Sequence, residues 1–272
     1  MKLLLIGLGN MGKNHLRVSR KLLSGMIHTL KVCDSNKELK ADYTDYKKAI
    51  QEYQPTHVII ASSTPTHAEI LNFCIEAKVK NVFVEKPITD TIENQRYVDC
   101  WETTKIMVGH IERFNPMIRR ILQELDGKPI DSIICTRSGL IKNEPDYNLH
   151  LDLCIHDADV CQLLTRHLSP NFSRMGRSSK SNMCNMFFEL NGVDCFLHAD
   201  NKSPFKRRDI KVMGPGYMME GDYINQKLSM NGEDIMIGKV EPLQEELYIF
   251  FHRQYTIEDL QEAIVNLKLV GA

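Results

Sequence analysis

The chain has 272 residues, 43% hydrophobic and 25% charged, with 34 Lys and Arg against 35 Asp and Glu. That length fits about two domains and a substantial core. A net charge of −1 argues against a general polyanion binder, and no stretch is long and apolar enough to span a bilayer, so neither nucleic acid nor membrane is an expected partner.

Lys2 to Ile6 reads as a short buried strand running into Gly7-Leu8-Gly9-Asn10-Met11-Gly12 and a helix from about Met11 to Ser24. The apolar run is too short for a secretory leader, so these residues are expected to belong to the folded protein. A GxGxxG turn here suits a dinucleotide. Gly7 permits the tight turn, Gly9 lets the backbone approach a pyrophosphate, and Gly12 lets the helix pack on the strand. The helix N-terminus then presents free N–H groups to the phosphates. The same pattern also serves as an ordinary strand-to-helix loop.

A second strand, Ile27 to Cys33, ends at Asp34, placed to accept the adenosine ribose hydroxyls; no Arg follows directly to hold a 2′-phosphate. Ser35 to Thr44 is short and polar where a mononucleotide-binding half usually has a helix. A short helix over Asp45 to Glu52, a buried strand Val58 to Ala61 and the polar loop Ser62 to His67 follow, with Pro65 suited to the first turn of a helix reaching Ala77. Asn81 to Val84 is the next strand, with Glu85-Lys86-Pro87 at its C-terminal end, where open parallel sheets bind ligands. A helix over Thr89 to Thr103 and a strand over Lys105 to Gly109 complete a doubly wound α/β domain.

Beyond His110 the texture changes. A helix over Pro116 to Leu125, a strand over Ile130 to Ser138, a loop over Asn143 to Asn148 and a helix over Leu149 to Leu168 are followed by strand-like runs. These are Met183 to Leu190, Val193 to Ala199, Asp209 to Met213, Tyr217 to Glu220 and Tyr223 to Ser229, with Asn191-Gly192 as a hairpin signal. Thr256 to Leu269 is a closing helix with Thr256 as cap. The expected architecture is an N-terminal Rossmann domain, residues 1–110, and a C-terminal α+β domain on a mostly antiparallel sheet, residues 111–272. The 8 cysteines form no CxxC pair and read as small buried thiols in a reduced, cytoplasmic compartment.

Asp152 and His156 are four residues apart, so on a helix they share a face, which places a base of ordinary pKa near 6.5 beside a carboxylate. A His on a mixed helix face is more often structural, and a lone Lys is usually solvated. Asp157 and Asp159 read as solvated or helix-structural. Asp152, His156 and Asp157 also resemble a metal cluster, but a zinc site needs further ligands, and no metal is expected there.

In order, GxGxxG, Asp34, Glu85-Lys86-Pro87 and Asp152-Leu153-Cys154-Ile155-His156-Asp157 resemble the Gfo/Idh/MocA oxidoreductase family over essentially the whole chain. Gly109 to Pro116, Pro204 to Arg208, Gly221 to Gln226 and Glu241-Pro242-Leu243 resemble its nucleotide-sugar branch. Lys202 stands where relatives often carry Trp, and the chain is shorter than most members. The resemblance implies NAD as cofactor, bound by Gly7, Gly9, Asn10, Met11, Gly12, Asp34, Ser62, Thr64, His67, Glu85 and Lys86. It implies Lys86, His156 and Asp152 as catalytic residues, and substrate contacts from these three with Arg113, Asn115, Lys206 and Arg208. Oxidation of a secondary hydroxyl of a nucleotide sugar is the implied activity, UDP-N-acetylglucosamine at C3 foremost. The alternatives are a free sugar, inositol or polyol, or a non-catalytic NAD-binding co-regulator. A homo-oligomer joined through the open face of the second domain's sheet is also implied.

Overall fold

The computed structural model describes residues 1–24, 29–90, 95–140, 149–165, 172–180 and 182–271. The start of the expected second strand, the loop around Pro145 and the end of the helix expected to reach Leu168 lie outside these residues. The chain divides into two compact units: Met1–His110 with Leu243–Lys268, and Ile111–Pro242 with Leu269–Gly271.

The first unit is built on β1 (Lys2–Ile6), α1 (Asn10–Leu23), β2 (Thr29–Cys33), α2 (Tyr46–Tyr53), β3 (His57–Ile60), α3 (Thr64–Glu76), β4 (Asn81–Glu85), α4 (Gln95–Asp99) and β5 (Lys105–Gly109). Its five strands are all parallel, in the order β2-β1-β3-β4-β5. Every residue of β3 and β4 is buried, as expected where helices cover both faces of a parallel sheet. The helix missing after β2 is reduced to a single 3-10 turn, Lys37–Leu39, capped by Asn36. Asp45 caps α2 by accepting from the Lys47 and Lys48 amides, and Pro65 sits in the first turn of α3.

In the second unit a 3-10 turn over Ile111–Phe114 leads to α5 (Pro116–Leu125) and β6 (Ser132–Ser138). A π-helical turn over His150–Cys154 then runs into α6 (Ile155–Thr165). The remaining strands are β7 (Phe172–Lys180), β8 (Met183–Leu190), β9 (Val193–Asp200), β10 (Arg207–Gly214), β11 (Tyr217–Asp222), β12 (Lys227–Met230) and β13 (Glu233–Ile235). They form an eight-stranded sheet, β13-β12-β11-β10-β6-β9-β8-β7, antiparallel except for the β6–β9 pair. Burial alternates along β6, β8 and β9, so one face is covered and the other leaves Ile134, Phe196 and Met218 exposed. Asn191 (φ 56°) and Gly192 (φ 82°) close the β8–β9 hairpin with both residues left-handed, the primed turn that Asn-Gly favours.

Two expectations are corrected. Tyr223 to Ser229 is not one strand. The Asp222 carboxylate accepts the Ile224 and Asn225 amides, turning the chain before β12. The C-terminal segment also does not belong wholly to the second unit. α7 (Pro242–His252) and α8 (Ile257–Leu269) follow the last strand, and most of both packs on the first. Phe250 lies edge-on to His57 and Phe83, and Tyr255 Oη donates to Asn81 Oδ1 at 3.2 Å. Thr256 caps α8 as expected: its Oγ1 accepts the Asp259 amide, and Asp259 Oδ2 accepts the Thr256 amide.

Candidate active site

In the first unit the turn after β1 is shaped by close backbone approach. Gly7 has φ 96°, and a Cβ there would stand 2.5 Å from the Ala61 carbonyl oxygen. A Cβ on Gly12 would run into the Gly7 carbonyl, so both sites admit only glycine. A Cβ on Gly9 would meet nothing within 4 Å. Gly9 begins α1 with no side-chain cap, so the helix N-terminus keeps amides for an anion.

This backbone forms one wall of a cavity of about 550 Å³, within the usual range for small-ligand sites. Gly7, Gly9, Asn10, Met11, Asp34 and Ser62 line it. So do Tyr46, Ser63, Thr66 and Glu69, which the sequence reading passed over because their chemistry has no fixed motif. Asp34 accepts the Leu8 amide on Oδ2 at 2.6 Å and the Asn36 amide on Oδ1 at 2.8 Å. It thereby ties the end of β2 to the glycine turn and still has lone pairs for hydroxyl donors. The open glycine backbone, the uncapped helix and the acidic residue at the strand end fit a dinucleotide.

Thr64 and His67 do not line this cavity. His67 is buried, with Nδ1 2.9 Å from the Pro87 carbonyl oxygen and Nε2 3.1 Å from that of Ser62. The expected cofactor contact at His67 is thus corrected to a clamp between two loops. Burial pushes its pKa below the ordinary imidazole value, although both carbonyls favour the charged ring.

At the end of β4, Glu85 is buried with Oε1 2.6 Å from His15 Nε2. Burial opposes ionisation of Glu85, but the His15 hydrogen bond and the charges of His15, Lys86 and His67 hold its carboxyl below the usual value. His15 is fully buried in α1 and edge-on to Phe83. It was missed because a lone His in a polar helix carries no signal until the fold brings Glu85 to it. The Lys86 amide donates to Glu85 Oε2 at 3.3 Å, the Lys86–Pro87 peptide is cis, and the Lys86 residue is half-buried.

In the second unit Asp152 lies in the π-helical turn and His156 in the first turn of α6, and both are half-buried. π-helical turns are frequent at functional sites. Asp157 and Asp159 face inward and are structural; the solvated alternative is corrected. Arg137, 1% exposed, donates from Nε to Asp157 Oδ1 at 2.8 Å and from Nη2 to Glu112 Oε1 at 3.1 Å, with its guanidinium 5.2 Å from the Tyr223 ring centroid. Burial pushes the Asp157 carboxyl up to about 6 even though Arg137 pulls it down.

The expected substrate cations divide. Arg113 forms a bidentate pair with buried Asp159 at 2.6–2.9 Å. Asn115 is 3% exposed and caps α5 by accepting the Met117 amide, while its own amide group donates to Glu112 and to the Tyr223 carbonyl. These bonds tie both side chains into the second unit. Lys206 is exposed, and Arg208 is part-exposed with Nη1 4.0 Å from Glu112 Oε1. Lys86 belongs to the first unit; Asp152, His156, Lys206 and Arg208 belong to the second.

Residues 1–110 match the model of an oxidoreductase family described as having an NAD-binding Rossmann fold. Myo-inositol 2-dehydrogenase of Thermotoga maritima is 26% identical over 186 residues, 60% of this chain and 54% of that protein. UDP-N-acetylglucosamine 3-dehydrogenase of Acidithiobacillus ferrooxidans is 25% identical over 178 residues, 63% of this chain and 56% of that protein. The matched stretches thus span about half the length of these curated relatives. A solved structure of the Acidithiobacillus ferrooxidans enzyme superposes with a TM-score of 0.83 at 21% identity, covering 99% of this chain and 95% of that one. A probable dehydrogenase of Thermotoga maritima superposes at 0.78 with 18% identity, covering 98% and 95%. Residues 1–110 are thus an NAD-binding Rossmann domain of the Gfo/Idh/MocA oxidoreductase type, and the whole chain shares its fold with these dehydrogenase structures.

Proposed function

We propose that the chain is an NAD-dependent dehydrogenase that oxidises a secondary hydroxyl of a nucleotide sugar, UDP-N-acetylglucosamine at C3 foremost. The observation that carries this reading is the placement of Asp152 in the π-helical turn and of His156 at the start of the α-helix that follows it, in a chain that also places Lys86 directly after a Rossmann strand. In this reading His156 takes the hydroxyl proton, and Asp152 orients it. Lys86 steadies the oxygen as negative charge develops, held by the backbone that Glu85 and His15 fix. Bound NAD supplies the hydride acceptor. Lys206 and Arg208 are the cations offered to a diphosphate, which adds binding energy remote from the reacting carbon. Part of the same reading is a homo-oligomer formed through the open sheet face around Ile134 and Phe196.

Likeness to inositol dehydrogenases supports a second reading, oxidation of a free polyol by the same groups. A substrate panel followed by NADH absorbance separates the two. UDP-N-acetylglucosamine is expected to give a kcat/KM at least about tenfold above N-acetylglucosamine or myo-inositol, since one charge-assisted contact of about 1.5–3 kcal/mol is worth that ratio. Replacing Lys206 and Arg208 by Ala should narrow the gap. Preference for the free sugar or inositol removes the nucleotide-sugar assignment and leaves a dehydrogenase. Absence of NAD reduction by every sugar points to the co-regulator.

NAD is expected to bind at least about tenfold more tightly than NADP, because the Asp34 carboxylate lines the cavity and a 2′-phosphate beside it costs several kcal/mol. Calorimetric titration of the cofactor-free protein with both nucleotides checks this. Equal or tighter NADP binding would show that Asp34 does not face the ribose.

A further inference from the structure

The π-helical turn that carries Asp152 holds a second set of side chains. His150 and Cys154 are its first and last residues, and Cys184 reaches them from the inward face of β8. Sγ of Cys184 lies 2.9 Å from His150 Nδ1 and 3.8 Å from Cys154 Sγ. The three donor atoms all fall within 4.8 Å of one another. Both cysteines are buried and His150 is half-buried. The hydride-transfer reading uses none of the three.

The spacing is that of a metal edge. With Zn–S bonds of about 2.3 Å and tetrahedral angles, two thiolates on one zinc stand about 3.8 Å apart, the separation of Cys154 and Cys184 here. A sulfur and an imidazole nitrogen on the same ion stand about 3.6 Å apart. Seating an ion therefore requires His150, the least buried of the three, to withdraw by less than about 1 Å from its contact with Cys184. Two sulfurs and an imidazole select a thiophilic ion over Mg²⁺ or Ca²⁺, which take oxygen ligands. Two thiolates would also neutralise a divalent charge in this buried place, with release of the thiol protons.

The geometry points to a Zn²⁺ site held by His150, Cys154 and Cys184, its fourth tetrahedral position left to water. The ion would tie the π-helical turn to β8, as a clamp on the segment that carries Asp152 and His156. The site stands on its own donors and does not depend on the substrate assignment.

The test uses the full chain, reduced and stripped of metal. Co²⁺ is expected to bind one per chain with thiolate-to-cobalt charge-transfer absorption, and Zn²⁺ to displace it. Zn²⁺ should also protect two thiols per chain from alkylation, identified by peptide mass analysis as Cys154 and Cys184. Cys184→Ala should weaken Zn²⁺ binding by more than about 10²-fold, beyond the loss typical of an outer-shell partner, while Cys100→Ser leaves it unchanged. The protection experiment needs no variant, so poor folding of Cys184→Ala does not blunt the test. Lack of stoichiometric Co²⁺ binding, protection of other cysteines, or a Cys154–Cys184 disulfide forming where metal should bind would each overturn the proposal.

Discussion

Replacing His156 by Asn is expected to lower kcat about 10²–10⁴-fold, the usual contribution of a positioned general base, while NAD affinity and far-UV circular dichroism stay close to wild type. The substitution keeps a half-buried polar side chain of similar size in the first turn of α6 and removes the proposed proton acceptor. Lys86→Ala is expected to lower kcat by a similar factor through loss of the charge steadying the oxygen. Its backbone neighbours, the Glu85–His15 pair and the His67 clamp, remain. The measurement is steady-state and single-turnover NADH formation with the best substrate of the panel, alongside cofactor binding. Near-wild-type turnover in either variant, under conditions where chemistry limits the rate, removes that residue from the mechanism. If His156→Asn loses its fold instead, the histidine is structural.

The second large effect is on stability. Arg137→Leu is expected to destabilise the second unit by about 3–5 kcal/mol, the cost of leaving buried charges without their partner. The Arg137 side chain is 2% exposed and the side chains of Glu112 and Asp157 are 9% and 2% exposed, so water cannot take its place. The loss should depend on pH. Burial raises the Asp157 carboxyl to about 6 in the fold, above the unfolded value of about 3.9. A raised carboxyl favours the fold below the unfolded value, and that contribution fades as pH rises through about 6. At pH 5 the folded Asp157 is largely protonated and needs Arg137 less than at pH 8. Urea denaturation of Arg137→Leu should therefore show a larger deficit at pH 8 than at pH 5, and adding Asp157→Asn should recover part of it. A deficit below about 1 kcal/mol at pH 8 would mean that the network contributes specificity and not stability.

These two predictions rest on residues of different legibility. His156 and Lys86 stand out in the sequence through the ordered set of motifs that resembles the Gfo/Idh/MocA family, and that order is legible without coordinates. Arg137 did not stand out. In Ser132–Ser138 it shares the inward face with Ile133 and Cys135, so the period of two already points it into the core. An arginine on that face has no evident partner until Glu112 and Asp157, from two other segments, are seen to meet it. The same holds for His15 and Glu85, 70 residues apart, and for His150, Cys154 and Cys184, whose spacing matches no short motif.

Local chemistry was enough to set the parallel α/β alternation, the glycine turn, the shortened segment after β2, the Asn191-Gly192 hairpin and the Thr256 cap, because each depends on neighbours a few residues away. Where those elements go depends on distant partners. α7 carries Leu243, Leu247 and Phe250 at helical spacing and is buried along that face, a pattern that says only that some apolar surface must receive it. His57, Phe83 and Asn81 supply that surface in the first unit, which returns the C-terminal helices to the domain where the chain began. Arg113 and Asn115 followed the same logic, since a guanidinium and an amide suit a sugar diphosphate as well as they suit Asp159 and a helix cap. Side-chain type specifies what a residue is able to bind, and the packing of remote segments decides which partner arrives first, because a buried polar group left without one costs more than the contact it would make elsewhere.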